Sequence, residues 1–208
     1  KTQGVSGQIS LKKAWNMMAE LNAVTLPIVN RENGLSGLIT INDIATSYME
    51  EQDSTILSKA RTPYKNILET LEGEMVVGDP EAVFTKGNIL IAAANPDVME
   101  NYIMENDMVI MGNRYESQLS AIESGAGCIV VCLGAEVSRS IRKLAEEHGC
   151  SIIVTPLDTY TVARQINQSM PVRAFMRQND LITFQPRDYT DSIKEIMQKT
   201  RIRDFPVL

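Results

Sequence analysis

Histidine is almost missing: His148 is the only one in 208 residues. Cysteine is scarce as well, with Cys128, Cys132 and Cys150 alone. The spacing of these four residues fits no zinc site, whose ligands come in close pairs. The odd cysteine count, with two thiols inside apolar runs and the third opening another, predicts reduced, buried thiols in a cytosolic protein. No apolar run approaches the ~20 residues that cross a bilayer, and the N-terminus lacks a signal-peptide pattern. Positive charge is in the minority. The 20 Lys and Arg against 26 Asp and Glu leave a net charge of −6 spread along the chain, so a nucleic-acid partner has little electrostatic support. Basic residues can still gather locally around a small anion. The apolar fraction of 44% is enough for real cores and argues against disorder. The length suits one or two domains.

What the chain does have is a repeat. SLKKAWNMMAELNAVTLPIV at 10–29 returns as YTDSIKEIMQKTRIRDFPVL at 189–208. A shift of 179 residues, without a gap, places Ala14 on Ile193, Met18 on Met197, Leu26 on Phe205 and Pro27 on Pro206. Each copy reads as a helix feeding a short strand. Two such copies around unlike sequence suggest one module split by an insertion. In the first copy, a short strand at 5–6 precedes a helix at 11–21 with Ser10 as N-cap. Leu11, Trp15 and Met18 can share one face of it. A strand at 24–29 follows, where Pro27 argues for an edge or a strand end. The turn Asn33-Gly34, a return strand at 35–40 and a helix at 42–49 complete the unit. The second copy is led by 172–176 and a strand at 181–184. It has a helix at 190–200 and a strand at 205–208, and lacks the hairpin return, so the chain reads as a fragment of a longer polypeptide.

Between the copies the pattern changes. Helices are expected at 54–60 and 64–71, with Pro63 opening the second, then a strand and a turn around Gly78-Asp79-Pro80. Apolar runs at 88–94, 108–111, 128–133 and 151–155 alternate with helices. The first of these is capped by Asn95-Pro96, and the others span 116–124, 136–147 and 160–168. Strand–helix alternation with short loops is the signature of a parallel sheet covered by helices. The fold class is α/β: an α+β pair of repeat units with an inserted parallel-sheet α/β domain.

The chemistry concentrates at Gly37-Leu38-Ile39-Thr40-Ile41-Asn42-Asp43, a strand-to-helix joint. Gly37 lets the backbone lie close to a neighbour or a ligand. Thr40 presents a hydroxyl near the helix start, where free amides favour anions. Asp43 can accept two hydroxyls, as a ribose offers. The plain alternative is that Thr and Asp are ordinary residues at a helix start. Lys12 and Lys13 stand in the first turn of a helix, where the dipole disfavours cations. A bound phosphate would reverse that sign; solvated lysines near Glu20 are the other reading. Arg187 and Tyr189 hold the equivalent region of the second copy. A guanidinium grips phosphate with two prongs, and Tyr189 can stack or hydrogen-bond. Arg203 replaces Val24 and is a second phosphate candidate. His148 reads as a C-terminal helix residue favoured by the dipole. Met17, Met18, Met170 and Met176 read as core. Gly112-Asn113-Arg114 and Gly134-Ala135-Glu136 match no phosphate loop or nucleophile elbow.

SLKKAWNMM, LPIV and GLSGLITINDI, then PVRAFM, DYTDSIKEIM and DFPVL, together resemble the CBS domain. GNRYESQLSAIESGAGCIVVC with DTYTVARQI resembles the DRTGG domain, although only Arg114 and Gly134 of its motif are kept. The division is CBS domain 1 at 1–56, DRTGG at 57–168, and an incomplete CBS domain 2 at 169–208. That order is similar to the regulatory insert of family II inorganic pyrophosphatases of the CBS-containing type. The resemblance implies adenine nucleotides bound between paired CBS units, with Thr25 and Thr183 at the base. Lys12, Thr40, Asp43, Arg187, Tyr189 and Arg203 join them as the nucleotide set. It implies regulation of a cytoplasmic enzyme: inhibition by AMP or ADP, activation by ATP or diadenosine polyphosphate. It also implies a homodimer joined to catalytic domains of the same polypeptide, where Mn²⁺ or Mg²⁺ would act. This stretch itself should be inactive, since the family's metal site uses several histidines. Two other readings stay open: a sensor or dimerisation module of another metabolic enzyme, and an α/β enzyme centred on 87–166.

Overall fold

The computed structural model describes residues 4–49, 53–92, 96–200 and 205–207. The first unit runs β1 (Val5–Ser6), α1 (Leu11–Glu20), β2 (Thr25–Val29), β3 (Leu35–Thr40) and α2 (Ile41–Met49). The Ser10 hydroxyl accepts from the Lys13 N–H at 3.0 Å and so caps α1. Leu11, Ala14 and Met18 form the buried stripe of that helix. Trp15 does not join them and is 47% exposed. The stripe is centred on Met18, and Trp15 lies beyond its Leu11 edge, about 60° round the helix from that centre. β2 and β3 form the expected hairpin. Its turn is closed by Asn30 Oδ1, which accepts from the N–H groups of Glu32 and Gly34 at 2.9 and 2.8 Å. Asn33 takes the left-handed conformation there, at φ 60°.

Pro27 corrects one expectation. The sheet order is β1-β2-β3, so its strand is central rather than an edge. The proline is tolerated because β1 pairs only with Ile28 and Val29. Its partner Leu38 turns both backbone groups the other way, to Arg177. A ring nitrogen without a proton therefore breaks no ladder bond.

The middle runs α3 (Ile56–Lys59), β4 (Thr62–Pro63), α4 (Tyr64–Leu71), β5 (Glu74–Val77), β6 (Val83–Phe84), β7 (Ile89–Ile91), α5 (Pro96–Met99), β8 (Met108–Met111), α6 (Tyr115–Glu123), β9 (Cys128–Val131), α7 (Arg139–His148), β10 (Ser151–Val154) and α8 (Thr159–Gln165). The expected cap Asn95 lies outside the described residues. One sheet of order β5-β10-β9-β8-β7 organises this region. β7 to β10 are parallel to their neighbours, as expected, while β5 adds an antiparallel edge to β10. All four residues of β8 and of β9 are buried, because helices cover both faces. Met108, Ile110, Cys128, Val130 and Ile153 point to one face. There they join Ile67 and Leu71 of α4, Val162 of α8, and the Leu11, Leu26 and Ile39 core of the first unit. Val109, Met111, Ile129, Val131 and Ile152 point to the other, against Ala121, Ile122, Ile141 and Ala145. One core thus runs from the first unit into the underside of the sheet. His148 ends α7, and Gly149 follows at φ 67° as its left-handed cap.

After α8 come two short 3-10 turns, Ile166–Ser169 and Val172–Ala174, and then α9 (Thr190–Thr200). The strand expected at 181–184 does not form, and of the one expected at 205–208 the described residues 205–207 contribute only a bridge at Val207. Phe184 makes one parallel bridge to Val207, its N–H donating to the Pro206 carbonyl at 2.9 Å. In the first copy β2 is held by the antiparallel return β3. Among the described residues the second copy has no such partner, and a single bridge is no ladder. The Phe184 and Phe205 rings meet edge-on at 5.0 Å. No residue of α9 is fully buried.

Candidate nucleotide site

The β2–β3 hairpin positions the first part of the site. Thr25 stands opposite Thr40 in its register, and α2 begins at the next residue. Thr40 and Asp43 satisfy each other as a capping box. The Thr40 Oγ1 accepts from the Asp43 N–H at 3.2 Å. Asp43 Oδ2 accepts from the Thr40 N–H at 2.8 Å and from its hydroxyl at 2.7 Å. The other carboxylate oxygen faces Arg177, whose Nε and Nη2 donate to Oδ1 at 3.1 and 3.0 Å. The Asp43 side chain is only 14% exposed, whereas that of Arg177 is 58% exposed. Enclosing a carboxylate carries a desolvation cost that such partners offset.

Arg177 is the residue that the sequence reading missed. It directly follows PVRAFM, and under the 179-residue shift its counterpart falls outside the sequence, so the repeat gives no signal for it. Its backbone is pinned to β3 by a two-way exchange with Leu38. The Arg177 N–H donates to the Leu38 carbonyl at 2.8 Å, and the Leu38 N–H donates back at 3.0 Å. Gly37 makes this approach possible. A Cβ there would stand 2.7 Å from the Arg177 carbonyl oxygen and 2.9 Å from the Met176 sulfur. The close neighbour expected at Gly37 is therefore residues 176–177.

The other described candidates have different partners or face solvent. The Lys12 ammonium donates to the Thr70 carbonyl at 2.9 Å, and Lys13 pairs with Glu69 at 3.1 Å. Both cations thus sit at the C-terminal end of α4, where its dipole favours them and offsets their place at the start of α1. Thr183 and Arg187 are exposed, and Tyr189 is 84% exposed. The Arg187 Nε donates to Gln185 Oε1 at 3.0 Å. No hydrogen bond among the described residues joins this group to Thr25, Thr40 or Asp43. Arg203 lies outside the described residues. Between the end of α1 and the start of α2 is an apolar cavity of about 140 Å³, lined by Trp15, Met18, Val24 and Ile41 among others. Among the described residues no group of three or more His, Cys, Asp or Glu is placed to hold a metal ion, and no helix is long and apolar enough to cross a membrane.

Comparison with known proteins fits this architecture. The CBS domain family matches residues 5–50 and the DRTGG domain family matches 66–169. The sheet considered above as a catalytic domain falls inside the second match. The cobalt-dependent inorganic pyrophosphatase of Clostridium perfringens (strain 13 / Type A) is 33% identical over 208 residues, covering 100% of this chain and 38% of that protein. A probable manganese-dependent inorganic pyrophosphatase of Thermotoga maritima is 26% identical over 187 residues, 90% of this chain and 34% of its own length. The chain thus spans little more than a third of these curated relatives. One solved structure covers 100% of the chain, and 90% of its own is matched, at 33% identity and a TM-score of 0.94. It contains the CBS and DRTGG domains of the regulatory region of Clostridium perfringens pyrophosphatase, complexed with the activator diadenosine tetraphosphate. A chain of CBS and DRTGG domains of this kind is a regulatory region and not a catalytic domain. More narrowly, this chain belongs to the family of CBS–DRTGG regulatory regions found in the Clostridium perfringens pyrophosphatase.

Proposed function

We propose that this chain is the adenine-nucleotide-binding regulatory region of a cytoplasmic inorganic pyrophosphatase. AMP or ADP inhibits the whole enzyme, and ATP or a diadenosine polyphosphate activates it. The observation that carries this reading is the match along the whole chain to a pyrophosphatase regulatory region bound to diadenosine tetraphosphate. Residues 1–56, 57–168 and 169–208 are its CBS, DRTGG and second CBS parts. The metal-dependent chemistry belongs to catalytic domains outside this chain. The two pyrophosphatase relatives are cobalt- and manganese-dependent by name; manganese or magnesium is the choice proposed here.

In this reading Thr25 lies at the base, and Asp43 accepts the ribose hydroxyls, an ionised carboxylate offering only acceptors to a diol's donors. Arg187, Arg203 and Lys12 supply positive charge for the phosphates, with Thr183 and Tyr189 completing the far wall. Lys12 reaches a phosphate only by releasing Thr70. Charge-assisted bonds of this kind are roughly twice as strong as neutral ones. Calorimetry of AMP binding to Asp43→Ala and Arg187→Ala tests the site. Loss of either charged group should weaken binding by ~1.5–3 kcal/mol, about tenfold to a hundredfold in Kd. Parent-like affinity in both variants, with the fold intact, places the site elsewhere.

A further inference from the structure

We propose that Arg177 is a latch lying in the ribose position of the nucleotide site, and that it makes binding depend on the ribose diol. The inference rests on the reading of Asp43 given above and names a residue that governs it. A carboxylate has about four lone-pair sites, two on each oxygen. On Asp43 all are taken: Thr40 gives two donors to Oδ2, and Arg177 gives two to Oδ1. The Thr40 bonds belong to the capping box that starts α2, so a ligand cannot take them without opening the helix end. The Arg177 bonds are different. Its backbone is fixed independently by Leu38. Its side chain is more than half exposed, and its guanidinium hydrogen bonds among the described residues all go to Oδ1. The head can swing into solvent while the fold stays as it is. A diol that brings two donors to Oδ1 replaces the two that leave. A sugar without hydroxyls replaces none, and strands the carboxylate if the arginine departs.

Selectivity for a ribonucleoside then comes from competition at one oxygen atom. The guanidinium released by the diol is free to turn toward the phosphates of the same ligand, so the latch costs an adenosine more than it costs AMP.

The test is calorimetry of the 208-residue chain, parent and Arg177→Met, with adenosine, AMP and 2′,3′-dideoxyadenosine. Methionine keeps the stem and removes the donors, and circular dichroism confirms that the variant is folded. Adenosine should bind Arg177→Met about three- to tenfold more tightly, between the worth of an exposed ion pair and that of hydrogen bonds to a buried charge. AMP should gain less, and the dideoxy compound should not change. Unchanged or weaker adenosine binding overturns the latch, as does an equal gain for all three ligands. Asp43→Ala separates this failure from that of the underlying reading. If it weakens AMP while Arg177→Met fails to help adenosine, the site stands and the latch falls. If Asp43→Ala leaves AMP binding as it was, or no ligand binds the parent or Arg177→Met, both fall together.

Discussion

At the residue scale the chain repeatedly uses one group to settle another. Thr40 and Asp43 exchange hydrogen bonds across the start of α2, Arg177 closes the free side of the carboxylate, and Gly37 makes room for Arg177. The Thr40–Asp43 spacing was visible in the sequence, because a capping box is local. The Arg177 contact spans 134 residues, and no pattern in the sequence announces it. The three thiols were expected to be reduced and buried, and they are free and buried. Burial pushes the Cys150 thiol up from 9.0 to about 12 and raises that of Cys128 well above its usual value. Only thiolates attack disulfide reagents, so both should resist Ellman's reagent at pH 8 in the folded protein and react once urea unfolds it. The same shift sets a pH dependence. The unfolded chain ionises first as pH rises, so the stability tied to a neutral Cys150 is full below about 9 and is lost as pH climbs toward about 12. The urea midpoint should fall between pH 9 and 11, and fall less steeply in Cys150→Ala. Equal slopes for the two proteins would count against Cys150 as a source.

At the scale of elements, periodicity carried most of the information. The continuous runs that became β8 and β9 are buried on both faces, and the hairpin followed from Asn-Gly between two apolar stretches. What failed depended on long-range partners. The run at 181–184 has the composition of a strand, but among the described residues it has only the bridge to Val207. The central place of Pro27 depends on how short β1 is. Side-chain ties between distant segments were equally hidden. Asn66, on α4, is 6% exposed, and its Nδ2 donates to the Gln8 carbonyl at 2.9 Å and to the Ser169 carbonyl at 3.1 Å. One amide thus joins the first repeat unit, the helix under the sheet, and the turn that leads to the second unit. Asn66→Ala strands the carbonyl of fully buried Ser169, while that of exposed Gln8 can turn to water. It should lower stability by about 1–3 kcal/mol, the desolvation penalty of an unpaired buried group. Urea unfolding measures this, and a change under 0.5 kcal/mol, the ordinary scale of a surface substitution, would show that water replaces the amide without cost.

At the scale of the whole molecule, apolar surface is left over around the end of α1 and along α9. Trp15 and Val24, which line the cavity at the end of α1, and the nearby Leu21 are each about half exposed, and Ile193, Ile196 and Met197 of α9 are only half-buried. A homodimer through these faces would cover them, and a two-fold axis would make each patch its own complement. Light scattering at micromolar concentration should give the mass of a dimer for the parent and of a monomer for Trp15→Glu, which places a charge in the contact. Such a dimer would set the stoichiometry of the ligand. A two-fold axis brings two nucleotide sites into one assembly, so AMP should titrate to two per dimer. A ligand with an adenosine at each end can fill both sites at once if its phosphates span the axis. Its second adenosine then binds as an intramolecular event, at an effective concentration set by the length of the phosphate bridge. Such a ligand favours whichever dimer shape puts the sites at bridging distance, and two separate AMP molecules impose no such condition. Under the proposed function, that difference in affinity for the two shapes would let one class of nucleotide activate and another inhibit. Calorimetry should therefore give one diadenosine tetraphosphate per dimer, and Trp15→Glu should lose its tight binding far more than that of AMP. Two diadenosine molecules per dimer, or equal losses for the two ligands in the monomeric variant, would mean that each site acts alone and that the phosphate bridge plays no part in the response.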